Sequence, residues 1–92
     1  MLEIKFTSKM KRDFKRMQKR GKDMSKLDAV LRLLVSRQPM PEKYKDHRLK
    51  GAFKDYRECH IEPDWLFIYQ ILEDKLILLA FGTGTHSDLF DE

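Results

Sequence analysis

"RECHIEPDWLFIYQ", residues 57–70, decides the architecture. Its tail, from Trp65 to Tyr69, is an unbroken run of aromatic and branched apolar residues, the composition of a strand buried on both faces. Pro63 cannot donate to a strand ladder and separates this run from a preceding strand over about 55–61. After the central strand, 65–72, Glu73 and Asp74 mark a tight turn into a third, about 75–81, again apolar at nearly every position. Strands joined by such short links pair antiparallel. Since neither of the last two alternates, both sheet faces must be covered or concave.

Upstream, "LEIKF" (2–6) alternates Leu2, Ile4 and Phe6 with Glu3 and Lys5, a strand with one buried face. Thr7 or Ser8 caps a helix of about 8–20, on which Met10, Phe14 and Met17 form one apolar stripe, and Gly21 ends it. A second helix, about 24–37, starts at Asp23, or at Ser25 with Asp28 three positions on, and its stripe is Leu27, Val30, Leu31, Leu34 and Val35. The short link between them implies an antiparallel helical hairpin. "QPMPEKYKDHRLKGAFKD" (38–55), with its prolines, glycine and mixed charges, reads as a long surface loop, a type that is often functional. "GTGTHSDLF" (82–90) leaves the sheet toward a short C-terminal helix. The order β-α-α-β-β-β predicts an α+β fold: an N-terminal strand and the helical hairpin packed on a mostly antiparallel four-stranded sheet, in one domain over 1–92.

Composition narrows the function classes. A chain of 92 residues, 41% hydrophobic and 37% charged, is that of a small globular protein rather than a disordered one. No apolar run approaches the roughly 20 residues that span a bilayer, and the N-terminus lacks a signal-peptide pattern. The single cysteine, Cys59, excludes an internal disulfide and suits a reducing compartment, so a cytoplasmic location is expected, with no membrane partner. Charge is uneven: residues 9–26 hold nine Lys/Arg against Asp13 and Asp23, a local +7 in a chain of net +4. Lys11, Arg12, Lys15 and Arg16 lie off the apolar stripe of the first helix. They form either a solvated face or a footprint for a polyanion.

Strand alternation sorts the titratable groups. With His60 on one face, Glu58 and Tyr56 join it, while Arg57, Cys59 and Ile61 point away. Cys59 and His60 therefore cannot turn to one metal ion, and no CxxC or HxxxH spacing exists, so a metal site is not expected. His47 in the loop, His60 near a strand end, His86 after the last strand and Asp64 at the start of the central strand can converge on one rim. Histidine gives and accepts protons near neutrality, so the set suits acid–base catalysis, although any one histidine alone also fits a structural role.

Three stretches, "YKDHRLKG", "DYRECHIEPDWLFIY" and "TGTHSDLF", together resemble the YafQ branch of the RelE/ParE toxin superfamily, and the likeness in length and element order extends over essentially the whole chain. The resemblance implies the RelE/ParE-like fold and a ribosome-dependent endoribonuclease that cuts mRNA in the A site without metal or other cofactor. It implies as partners a cognate antitoxin, the ribosome with its rRNA, and mRNA. Position by position, it implies catalytic roles for His47, His60, Asp64 and His86: His86 as acid, Asp64 or His60 as base, and His47 orienting or sharing proton transfer. It also implies that Phe90 packs against a nucleobase, with Trp65 either doing the same or packing the core. The basic residues Lys11, Arg12, Lys15 and Arg16 would rest on ribosomal RNA. The family pattern has an arginine where this chain has Gly82, so weaker charge stabilisation is expected unless Arg48 or Lys50 on the loop replaces it. Two non-catalytic readings share the fold, a gyrase inhibitor of the ParE kind and a plain nucleic-acid-binding module.

Overall fold

The computed structural model describes residues 1–90, in which β1 (Glu3–Phe6), α1 (Ser8–Lys19), α2 (Met24–Val35), β2 (His47–Arg48), β3 (Arg57–Glu62), β4 (Trp65–Leu72), β5 (Ile77–Gly84) and α3 (His86–Phe90) follow in order. The α+β fold class stands as expected. The sheet has five strands rather than four, in the order β1-β5-β4-β3-β2. The extra strand is a two-residue piece of the long loop, His47 and Arg48 opposite Glu58 and Arg57. Its brevity hid it from any periodicity argument. β1 runs parallel to β5, and the remaining pairs are antiparallel.

Local signals explain the helices. Thr7 accepts the Met10 amide at 2.9 Å as the α1 cap, and Gly21, at φ 81°, closes the helix while the Lys22 amide reaches back to Met17 at 3.2 Å. Asp23 caps α2 by accepting from the Ser25 amide. Met10 and Met17 of α1 and Leu27, Val30 and Leu34 of α2 are buried against Cys59, Trp65, Phe67, Tyr69, Leu78 and Ala80 of the sheet. Burial of each large side chain contributes about 1.5–3 kcal/mol.

Two boundaries differ from the sequence reading. The last hairpin turns over four residues, 73–76, with Leu76 at φ 53°, not over Glu73 and Asp74 alone. β5 also continues through Gly84, so Gly82-Thr83-Gly84 belongs to the sheet and does not leave it. The reason is local pairing. Thr83 donates its hydroxyl to the Leu66 carbonyl at 2.6 Å, and its amide, beyond the end of β1, donates to the carboxylate of Asp13 on α1 at 3.2 Å. Asp13 thus closes a sheet edge that no strand covers. Between Ile68 and Tyr69 the β4–β5 register slips: Ile68 faces Gly82 and Tyr69 faces Ala80, leaving Phe81 as a bulged residue.

Candidate active site

The face of the sheet away from α1 and α2 is floored by buried Leu66 and Ile68, and above this floor three imidazoles stand in a row. His47 and His60 have ring centroids 6.2 Å apart, and His60 and His86 are 6.0 Å apart. Each arrives by a different device. His47 comes with the β2–β3 pairing, His60 by alternation along β3, and His86 on the first turn of α3. The expected convergence of the three histidines is observed.

Hydrogen bonds fix the outer rings. The His47 Nδ1 lies 2.8 Å from the Lys45 carbonyl, which can only accept, so Nδ1 carries the proton and Nε2 keeps the lone pair when the ring is neutral. Asp64 Oδ1 accepts both the His86 amide at 2.9 Å and the His86 Nδ1 at 2.6 Å. Those two donors, the amide first, hold the Asp64 carboxyl below its ordinary range. It is a carboxylate at neutral pH, and it engages the ring of His86 through Nδ1.

Glu58 was not among the residues singled out from sequence. It is 5% exposed and sits 3.2 Å from His60 Nε2, directly opposite His47 in the ladder. The available signal was its two-residue spacing from His60 on one strand face. Among the described residues, His47, Glu58 and His60 each offer a ligand atom, all within 4.8 Å of one another. Cys59, on the other face of β3, turns into the core, where burial pushes its thiol pKa up. The cluster of His47 with Glu58 and His60 arises instead from the pairing of β2 with β3.

Trp65 requires a correction as a substrate-binding residue. It is fully buried on the helix side, donating its indole N–H to Thr83 Oγ1 at 2.9 Å, so it packs the core and cannot meet a nucleobase. Phe90, half-buried on α3, meets the Phe53 ring edge-on at 5.6 Å, on the same helix as His86. Arg48 and Lys50 are exposed beside His47. Lys11, Arg12 and Lys15 are exposed on α1, and Arg16 turns toward Asp13 and Asp88 at 3.7 and 3.8 Å. Neither loop cation is nearest to position 82: a Cβ there would stand 2.8 Å from the ammonium of Lys9.

No helix among the described residues is long and apolar enough to cross a membrane. Residues 2–91 match the profile of the family described as bacterial toxin of type II toxin–antitoxin system, YafQ. The chain is similar to the mRNA interferase toxin YafQ of Escherichia coli strain K12, at 46% identity over 89 residues, 96% of this chain and 95% of that protein. Its structure superposes on YafQ in the E. coli DinJ–YafQ complex with a TM-score of 0.89, at 41% identity and covering 98% of this chain and 99% of that one. A metal-bound toxin from Helicobacter pylori gives a TM-score of 0.92, at 44% identity over 98% and 100% of the two chains.

Proposed function

The chain belongs to the YafQ family of bacterial type II toxins, and from that premise we propose that it is an mRNA endoribonuclease that cuts message on the ribosome, in the cytoplasm, and is silenced by a cognate antitoxin. The observation that carries this reading is the His47–His60–His86 row with its carboxylates Asp64 and Glu58. A gyrase inhibitor or a plain RNA-binding module would leave that row without a task.

The chemistry is transphosphorylation. The ribose 2′-OH attacks the adjacent phosphorus, the P–O5′ bond breaks, and a 2′,3′-cyclic phosphate and a 5′-OH are the products. One group must take the 2′ proton and another must protonate the leaving oxygen. His86 is the acid: its Nδ1–H is spent on Asp64, which supports the positive ring before it gives up the Nε2 proton. Asp64, ionised and engaged at short range, positions His86 rather than acting as base. His60, its Nε2 on Glu58, shares the base role with His47, whose Nε2 keeps the lone pair. Phe90 packs against a nucleobase, as commonly happens to RNA bases out of their helix. Lys11, Arg12, Lys15 and Arg16 contact ribosomal RNA, with Arg48 and Lys50 nearer the message.

The E. coli relative is complexed with DinJ, which supports a small protein antitoxin for this chain. The metal-bound H. pylori relative, with the donor set His47, Glu58 and His60, supports reversible inhibition by a transition-metal ion, because coordination uses the lone pair that proton transfer needs. The deciding experiment maps cleavage of mRNA on programmed ribosomes by primer extension. Cuts that appear with the wild type and vanish with His86→Ala support the reading. Intact message with folded wild-type protein overturns it.

A further inference from the structure

The site face holds an aromatic row that the three-histidine arrangement does not use. Phe90 meets Phe53 at 5.6 Å, Phe53 meets Tyr56 at 6.4 Å, and Tyr56 meets Phe81 at 4.7 Å. All four rings are half-buried, presenting surface instead of filling the core. Phe81 reaches this row because it is the bulged residue of β5. At the end of the row the ammonium of Lys9 stands 5.7 Å from the Phe81 ring centroid, a cation–π arrangement.

Gly82 is what makes room for that ammonium. It is not among the glycines with positive φ, so its backbone would accept any residue. Space is the constraint: a Cβ would lie 2.8 Å from Lys9 Nζ and 3.0 Å from Asp13 Oδ2. Asp13 in turn is pinned, 3% exposed, accepting from the Thr83 amide at 3.2 Å and from Lys9 at 2.5 Å. Lys9 is thereby held over Phe81 while its side chain stays 36% exposed. Among the described residues, Lys9, Arg16 and Arg20 share two acids, Asp13 and Asp88, which leaves the cluster a local +1.

We propose that Phe81, Tyr56 and Lys9 form a binding subsite for one nucleotide of single-stranded RNA, its base stacked on the rings and its phosphate on the Lys9 ammonium, next to the nucleotide that meets Phe90 and Phe53. This rests on the RNA-cleaving reading but concerns the strand beyond the cut bond. Stacking on an aromatic face is indifferent to base identity, so the subsite adds affinity with little sequence preference.

The test is direct binding of a short fluorescein-labelled RNA, 2′-O-methylated throughout so that it cannot be cut, followed by anisotropy across a salt series, with ribosomal cleavage measured in parallel. Phe81→Ala is expected to weaken binding about five- to a hundredfold. Lys9→Gln should weaken it and lower the salt slope by about 0.7, the loss of one phosphate contact to a single strand. Gly82→Ala keeps every charge yet displaces the ammonium, and it should weaken binding in the same direction as Lys9→Gln, while Lys75→Gln in the distal hairpin should change nothing. Wild-type-like binding by Phe81→Ala and Lys9→Gln, or no binding by the wild type, overturns the subsite even if messages are cut. Loss of binding in these variants beside a wild type that cuts no message supports the subsite and overturns the nuclease.

Discussion

On the helix-covered side of the sheet, Trp65, Phe67 and Tyr69 are sealed beneath Met10, Met17 and Leu27, whereas on the opposite side His47, His60 and His86 stand at an open rim over Leu66 and Ile68. The same strands build both. β3 sends Cys59 to the sealed side and Glu58 and His60 to the open one, and β4 divides its apolar run in the same way. Alternation lets a chain of 92 residues place chemistry one residue from its core without burying an uncompensated charge. The open side can afford titratable groups because each leans on a hydrogen bond at the rim, as His86 does on Asp64.

If the two faces are separable, substitutions on them should fail in different assays. The largest effect belongs to the open face: His86→Ala should lower cleavage by about 10²–10⁴ with little change in melting temperature. Asp64→Asn should lower it less and move the alkaline limb of the pH–rate profile to lower pH, since the ring that must hold its proton loses its ionised partner. A parallel fall in cleavage and melting temperature for His86→Ala would break the comparison. On the sealed face, Trp65→Ala should cost about 3–5 kcal/mol of stability, read by denaturant titration, while the protein that remains folded keeps its rate. A Trp65→Ala variant with native stability and poor cleavage would return Trp65 to the site.

The sealed face was the legible one. Met10, Met17, Leu27, Val30 and Leu34 announce themselves by helical spacing, and Thr7, Asp23 and Gly21 by cap chemistry, because those signals lie within a few residues of one another. The open face was legible in its residues but less so in its geometry. His47, His60, Asp64 and His86 could be named from their positions, yet the contact of Glu58 with His60 and His47 depends on a two-residue strand with no periodicity of its own. The bulge that turns Phe81 onto Tyr56, 25 residues away, and the edge contact of Asp13 with Thr83, 70 residues away, leave no local mark. Trp65 shows the converse. Its neighbour Asp64 is at the rim, but a strand turns adjacent residues to opposite sides, and Trp65 went inward.

A smaller effect is expected from the basic surface of α1. Reversing Lys11, Arg12 and Lys15 to Glu, with Arg16 left on Asp13 and Asp88, should weaken ribosome association by about tenfold or more and flatten its salt dependence, with cleavage of prebound message little changed. Unchanged association at physiological salt would make this surface a solvated face and nothing more.

The smallest expected effect tests how the open face is fastened to the sealed one. Asp88 of α3 accepts two hydrogen bonds from Arg20 at the end of α1, at 2.6 and 3.0 Å, and a third from the Thr85 amide at 2.9 Å. Arg20, foremost, holds the Asp88 carboxyl well below its ordinary value of 3.8. In the unfolded chain this group would titrate near the ordinary aspartate value, about 3.9. A carboxyl depressed by folding contributes its full stabilisation above that value and loses it as pH falls through the lower, folded one. Asp64 is displaced in the same direction by His86 and adds to the trend. The pair is partly exposed, so solvent screening limits the Asp88 contribution to about 1 kcal/mol or less, a few degrees in melting temperature. Melting temperature should therefore hold steady from neutrality to about pH 5 and decline below about pH 4. Asp88→Asn should melt slightly lower at neutral pH and show a shallower acid decline, because it has less to lose. Since α3 holds both His86 and Phe90, its loosening should raise the KM for message before the sealed core responds. If Asp88→Asn reproduces the wild-type acid profile, α3 is held by Leu89 and Phe90 packing alone, and the two faces are less coupled than the Arg20 contact implies.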